Sequence, residues 1–152
     1  MNKLIEKAIV FAKEAHGNQK RKYSGEPYFV HPEAVAKIVA EKGGDYEMIA
    51  AAYLHDTIED CDITYERILV EFGKRVADLV LELTDVYTSE SYPTKNRAER
   101  KRLEAERLWK ISDDAKMIKR ADIKHNTSDI VANDADFAKV YLAEKEYILK
   151  GL

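Results

Sequence analysis

Apolar side chains recur at helical spacing along most of the chain. Leu4, Ile5, Ala8, Ile9, Ala12 and Ala15 fall on one face of a predicted first helix, with Lys3, Glu6, Lys7, Lys13 and Glu14 between them. Gly17 ends that helix, and the stretch KRKYSGEPYFV, with Gly25 and Pro27, reads as a loop. Pro32 suits a first helical turn, so HPEAVAKIVAEKGG predicts a helix stopped by Gly43 and Gly44. Asp45 can cap the next helix, expected to run unbroken to about Glu59. Thr64 starts another, broken near Gly73 and continuing to about Thr84. Residues 85–94 (DVYTSESYPT) read as a loop, followed by a charged helix to about Lys110. Asp113 or Asp114 is expected to cap a helix ending near Val131, and a last helix runs from about Ala135 to Lys150. No alternating pattern supports a strand. The expectation is one all-α domain over residues 1–152, a bundle of about seven to nine helices.

Composition narrows the class. A chain of 152 residues can bury roughly 68–70% of its unfolded surface around one core. With 45% hydrophobic and 35% charged residues it suits a soluble globular domain and not a disordered one. The net charge of −3 gives no reason to expect bulk attraction to nucleic acid or acidic membrane. Cys61 is the sole cysteine, which precludes an internal disulfide and fits a reducing compartment. There is no run of about 20 apolar residues and no secretory leader pattern, so a cytoplasmic location is expected.

The most informative stretch is AAYLHDTIEDCD, residues 51–62. An apolar helix heading for a core delivers His55, Asp56, Glu59 and Asp60 within six positions. Burying unpaired charge is costly, so these groups need a partner. On a continuous helix His55 would share a face with Glu59, and Asp56 with Asp60. A divalent cation set between the columns would accept imidazole nitrogen and carboxylate oxygen and offset the burial of the acids. A solvated helix end with a satisfied histidine is the competing reading, and for a His-Asp pair standing alone it is the better one. Two other segments alter the balance. His31 precedes Pro32 at the mouth of a helix, and Asp122 lies in KMIKRADIKHNTSDI, where Ile118, Asp122, His125 and Asn126 share a face. These groups meet only if the bundle brings their helices together.

The order His, His-Asp, Asp resembles the HD superfamily of metal-dependent phosphohydrolases. AHGNQKRKYSGEPYFVHPEAVA, AAYLHDTIEDCDITYERI, FGKRVADLVLELTD and IKRADIKHN are similar to successive motifs of the RelA/SpoT-type alarmone hydrolases, including their stand-alone small members. The resemblance implies metal ligation by His31, His55, Asp56 and Asp122, with one manganese ion as the cofactor. It implies that Glu59 and Asp60 orient or deprotonate the attacking water, and that the reaction converts guanosine 3′,5′-bis(diphosphate) to GDP and pyrophosphate. Arg21, Lys22 and Ser24 match a loop flanking the nucleotide, Asn126 and Tyr141 match nucleotide contacts, and Lys95 and Arg97 fall where the family places a cationic phosphate contact. The partner expected is therefore a small nucleotide.

The residues also support plainer readings. Arg21 and Lys22 can be a solvated basic turn, and Tyr141 a core aromatic. KNRAERKRLEAERLWK carries seven basic and three acidic residues, which a solvated helix with internal pairs explains without nucleic acid. His16 reads as structural, His125 as a neighbour and not a ligand, and Cys61 as inert. Tyr23 interrupts the family's loop. Arg120 and Ser128 stand where the family has an apolar residue and an arginine, which keeps open a phosphatase of another nucleotide such as NADPH. A non-catalytic nucleotide-binding module is a further alternative.

Overall fold

The computed structural model describes residues 2–152 and contains nine helices among them. They are α1 (Lys3–His16), α2 (Val30–Glu41), α3 (Tyr46–Leu54), α4 (Thr57–Asp60), α5 (Tyr65–Phe72), α6 (Lys74–Leu83), α7 (Arg97–Leu108), α8 (Asp113–Asn133) and α9 (Ala135–Leu149). Apart from an isolated bridge between Lys20 and Pro27, the described residues hold no β structure. The all-α expectation holds. No helix among them is long and apolar enough to cross a membrane.

Helix α3 is the axis of the bundle. Met48, Ala50, Ala51, Ala52, Tyr53 and Leu54 are all buried, so it has no polar face, and its alanines let α1, α2 and α6 approach closely. Leu54, Ile68, Val76, Val80 and Ile118 are buried around it. Each such side chain contributes about 1.5–3 kcal/mol by leaving water. A second, smaller cluster of Ala105, Leu108, Ile123 and Ile148 joins α7, α8 and α9. Helix α8 serves both clusters: Ile118 and Ala121 face the main core and Ile123 the small one. Asp122 is thereby held between them.

Most boundaries follow local chemistry. Asn2, Asp45, Thr64, Asn96 and Asp134 each accept a backbone N–H at a helix start. Gly73, at φ 91°, ends α5 and opens α6, a backbone conformation that side chains other than glycine resist. Two expectations require correction. The cap of α8 is Ser112, whose Oγ accepts from the Ala115 amide at 3.2 Å; Asp113 and Asp114 lie inside the first turn, where their charge still suits the helix dipole. The helix expected to run through Glu59 breaks at His55 and Asp56. The Ala52 carbonyl accepts from His55 Nδ1 at 2.7 Å, and Thr57 Oγ1 donates to the Leu54 carbonyl at 2.7 Å. A continuing helix would need those carbonyls for the Asp56 and Ile58 amides, so side chains have displaced the backbone ladder.

Candidate active site

The break gives each half of His-Asp its own direction. His55 closes α3, and Asp56 stands at the start of α4, just outside its first turn. His31 comes from the first turn of α2, and Asp122 from the middle of α8. His31, His55 and Asp122 are buried, with donor atoms within 4.8 Å of one another. Asp56 joins them: its Oδ2 is 3.2 Å from His55 Nε2 and 3.7 Å from His31 Nε2. Asp122 Oδ1 lies 2.9 Å from His31 Nε2 and 3.4 Å from His55 Nε2. Donors that share one cation at about 2.1 Å stand about 3 Å apart when they are cis.

Hydrogen bonds aim the rings. Because His55 Nδ1 donates to the Ala52 carbonyl, Nε2 is the ring atom turned into the cluster. That Nε2 is buried and close to two carboxylates, yet aligned for a hydrogen bond with neither. His31 Nδ1 lies 2.8 Å from His125 Nδ1, so one ring must donate to the other. Burial, reinforced by His31 and Arg21, pushes the His125 pKa down and suits it as the neutral acceptor. His31 Nε2, 2.9 Å from Asp122 Oδ1, is then the ring atom turned to the cluster, and a metal would replace its bond to that carboxylate. Tyr28 donates to Asp56 Oδ2 at 2.7 Å, and burial with the Asp56 charge raises its pKa, so the hydroxyl remains a donor. Partners of this kind orient ligands and fix tautomers in metal sites.

The field in the cluster favours a cation. Burial resists charge on His55, but Asp56 and Asp122 outweigh it and raise its pKa to about 9. Burial also opposes ionisation of Asp122, yet Lys119, His31 and His55 hold it well below the usual carboxylate range. Nitrogen and carboxylate donors, an unsatisfied buried Nε2 and a preset tautomer fit a divalent ion. The donor set is one that could hold such an ion.

Glu59 and Asp60 stand beside it. Their surfaces reach solvent, but they sit in a recess crowded by acids. Burial, then Asp85, pushes Glu59 up to about 8, and burial, then Asp56, pushes Asp60 up to about 6. Glu59 Oε1 accepts from the Asp85 amide at 2.9 Å, and Gln19 Nε2 donates to the Asp60 carbonyl at 2.8 Å. The Glu59 carboxylate and the Asp60 backbone are thus anchored, and both side chains are pushed up from the ordinary carboxylate range toward neutrality, as acid–base groups require.

The cluster opens into a cavity of about 190 Å³, which Asp85, Lys119, Asn126, Tyr141 and Lys145 also line. A neighbouring basin of about 370 Å³ shares Tyr28, Asn126 and Tyr141 with it and is walled by Arg21, Lys22 and Tyr23. Arg21 donates to Asn126 Oδ1 at 3.2 Å and pairs with Asp129 at 3.0 Å, while Asn126 Nδ2 donates to Asp122 Oδ1 at 3.1 Å. Arg21, Lys22, Asn126 and Tyr141 are thus gathered around the two spaces. Three other expected contacts lie elsewhere. Ser24 is exposed, its Oγ accepting from the Glu26 amide. Lys95 is half-buried, its carbonyl accepting from Arg100, and Arg97 pairs with Glu144 on a separate groove between α7 and α9. Ser128 is exposed and donates to the Lys124 carbonyl.

Sequence reasoning passed over Tyr28, Asp85, Lys119 and Lys145, and gave His125 no role. Only Lys119 carried a signal, since it lies three residues before Asp122 on the same helix and pairs with it at 2.9 Å. His16, expected to be structural, is buried, its Nδ1 2.9 Å from Gln19 Oε1 and its ring tilted against Tyr28. Burial pushes the Cys61 thiol up to about 11, consistent with an inert side chain.

Known proteins resemble this chain in sequence and fold. A guanosine-3′,5′-bis(diphosphate) 3′-pyrophosphohydrolase of Aquifex aeolicus is 57% identical over 82 residues, which is 54% of this chain and 12% of that protein. The enzyme of the same activity from Xenopus tropicalis, MESH1, is 41% identical over 130 residues, covering 84% of this chain and 69% of its own. The solved structure of a metazoan SpoT ortholog that hydrolyses ppGpp superposes with a TM-score of 0.87 at 29% identity, over 99% of this chain and 86% of that one. The family model for the HD domain matches residues 8–145, and the chain belongs to the HD domain family.

Proposed function

We propose that residues 1–152 act as one hydrolase domain that converts guanosine 3′,5′-bis(diphosphate), or its pentaphosphate counterpart, to GDP or GTP and pyrophosphate. The observation that carries this reading is the four-donor cluster, with His55 Nε2 buried, without an aligned hydrogen bond and set between two carboxylates. His31, His55, Asp56 and Asp122 hold the ion in this proposal, and manganese suits their mix of imidazole and carboxylate. Such an ion supplies Lewis-acid stabilisation of phosphoryl oxygens and a water that is nucleophilic near neutral pH. Asp60 accepts the proton of the attacking water. Glu59, kept protonated longer, returns one toward the leaving 3′ oxygen. The nucleoside lies in the basin by Arg21, Lys22 and Tyr23, where a guanidinium plane and a ring offer stacking surfaces. Asn126, at the junction, orients the substrate. Ser24, Lys95 and Arg97 contribute only if a bound nucleotide reaches beyond the basin. No nucleic acid is needed as a partner, and the compartment proposed is the cytoplasm.

The test is a nucleotide panel with chelated and manganese-loaded protein. The chelated form should be inactive, manganese should restore turnover better than magnesium, and the guanosine substrate should release intact pyrophosphate. Release of orthophosphate, or preference for NADPH, would replace this reading with a phosphatase. Full turnover after chelation would remove the metal from it.

A further inference from the structure

Two groups on the α9 wall of the cavity touch each other but have no ion-pair or well-aligned hydrogen-bond partner among the described residues. Tyr141 is only 7% exposed, and its hydroxyl is buried without a hydrogen bond of good geometry, though Thr127 lies close enough to offset part of the rise in pKa that burial causes. Lys145, one turn further along the same face, holds its Nζ 5.0 Å from the centre of the Tyr141 ring. Of the two ammonium groups lining the cavity, Lys119 pairs with Asp122, whereas no carboxylate among the described residues comes within 4.0 Å of Lys145. Burial and the nearby charges of Lys119 and Lys101 depress its pKa, to about 8, as expected for a cation awaiting an anion. A half-buried cation beside an orphaned hydroxyl is a site built for an oxyanion.

The two spaces limit which anion it is. The nucleoside needs the larger basin, leaving about 190 Å³ around the metal ligands for phosphate alone. We infer that Lys145 and Tyr141 form a subsite for the distal phosphate of a pyrophosphoryl group whose proximal phosphate lies at the metal ligands, so that they select diphosphate over monophosphate substrates. This rests on the pyrophosphohydrolase reading for its substrate but not for its test, which uses inorganic anions. Lys145 binds the departing pyrophosphate in the same way, and product release depends on it as well.

The experiment is calorimetric titration of the metal-loaded protein with pyrophosphate and with orthophosphate, for wild type, Lys145→Met, Lys145→Arg and Tyr141→Phe. Loss of a charged hydrogen bond should weaken pyrophosphate about 10- to 100-fold in Lys145→Met and leave orthophosphate within about threefold. Lys145→Arg should recover most of the loss, and Tyr141→Phe should show a smaller, selective loss. In turnover, KM should rise more than kcat falls, with weaker inhibition by pyrophosphate. Unchanged pyrophosphate binding in Lys145→Met, or equal weakening of both anions, would overturn the inference. If selective pyrophosphate binding is present but no guanosine substrate is cleaved, the subsite stands and the proposed function falls.

Discussion

Glu104 tests whether the loop that carries Asp85 is locked from behind the cavity. It is 4% exposed, and its Oε1 accepts from the Val86 amide at 2.6 Å and the Tyr87 amide at 2.7 Å. Its Oε2 accepts from Arg107 Nε and a terminal nitrogen at 3.1 and 3.0 Å. Glutamine can keep the loop amides on its one oxygen, but its NH2 then faces a guanidinium, so the charged pair is lost. That loss is worth about 2–3 kcal/mol. Alanine also strands two backbone donors, for a total of about 3–5 kcal/mol. For a domain of this length the glutamine variant should melt about 4–12 °C lower at pH 7. Burial opposes ionisation of Glu104, but Arg107 and the loop amides hold its pKa below the ordinary 4.5. Its contribution is therefore complete above that value and disappears as pH falls through the lower, folded one. Urea unfolding of wild type and Glu104→Gln should differ at pH 7 and converge toward pH 3, and amide exchange at residues 85–87 should quicken in the variant. A difference under 1 kcal/mol at pH 7, or one that persists unchanged in acid, would refute the lock.

Other outcomes follow from the site. Tyr28→Phe, which leaves Asp56 without its orienting donor, should weaken metal binding about 10- to 100-fold while the ring still packs on His16; an unchanged metal titration argues against that role. Metal must displace the proton that Asp56 and Asp122 draw onto His55, so apparent affinity should climb by about tenfold per unit as pH rises toward 9. A pH-independent affinity would show that His55 is not a ligand. Glu59→Gln and Asp60→Asn should keep stoichiometric metal yet lose about 10² or more in turnover; metal loss in either would make that residue a ligand. Leu54→Ala, at a fully buried position of α3, should cost about 2–5 kcal/mol, measured by urea unfolding.

The fold was legible because its signals are local. Helical periodicity, Gly17, Gly73, Pro32 and the caps at Asp45 and Thr64 act within a few residues, and they placed most helix boundaries. The ligand types His31, His55, Asp56 and Asp122 could likewise be singled out, since HDTIED puts costly charge after an apolar helix. Their meeting could not be read from periodicity, because it depends on how α2, α3 and α8 pack. The break at His55 was missed for a related reason: Thr57 and the His55 ring take backbone carbonyls that a pattern of apolar positions does not register. Lys145 reads as an ordinary member of an amphipathic helix, and Tyr141 stands out only by its resemblance to a family nucleotide contact. Helix geometry sets one beside the other, but only the tertiary structure places them in a cavity whose other walls come from chain segments more than a hundred residues away. Sequence determined which groups could do chemistry, through short-range stereochemistry and charge. Packing decided which of them share a few ångströms, because that distance is fixed by the core and not by neighbours in the chain.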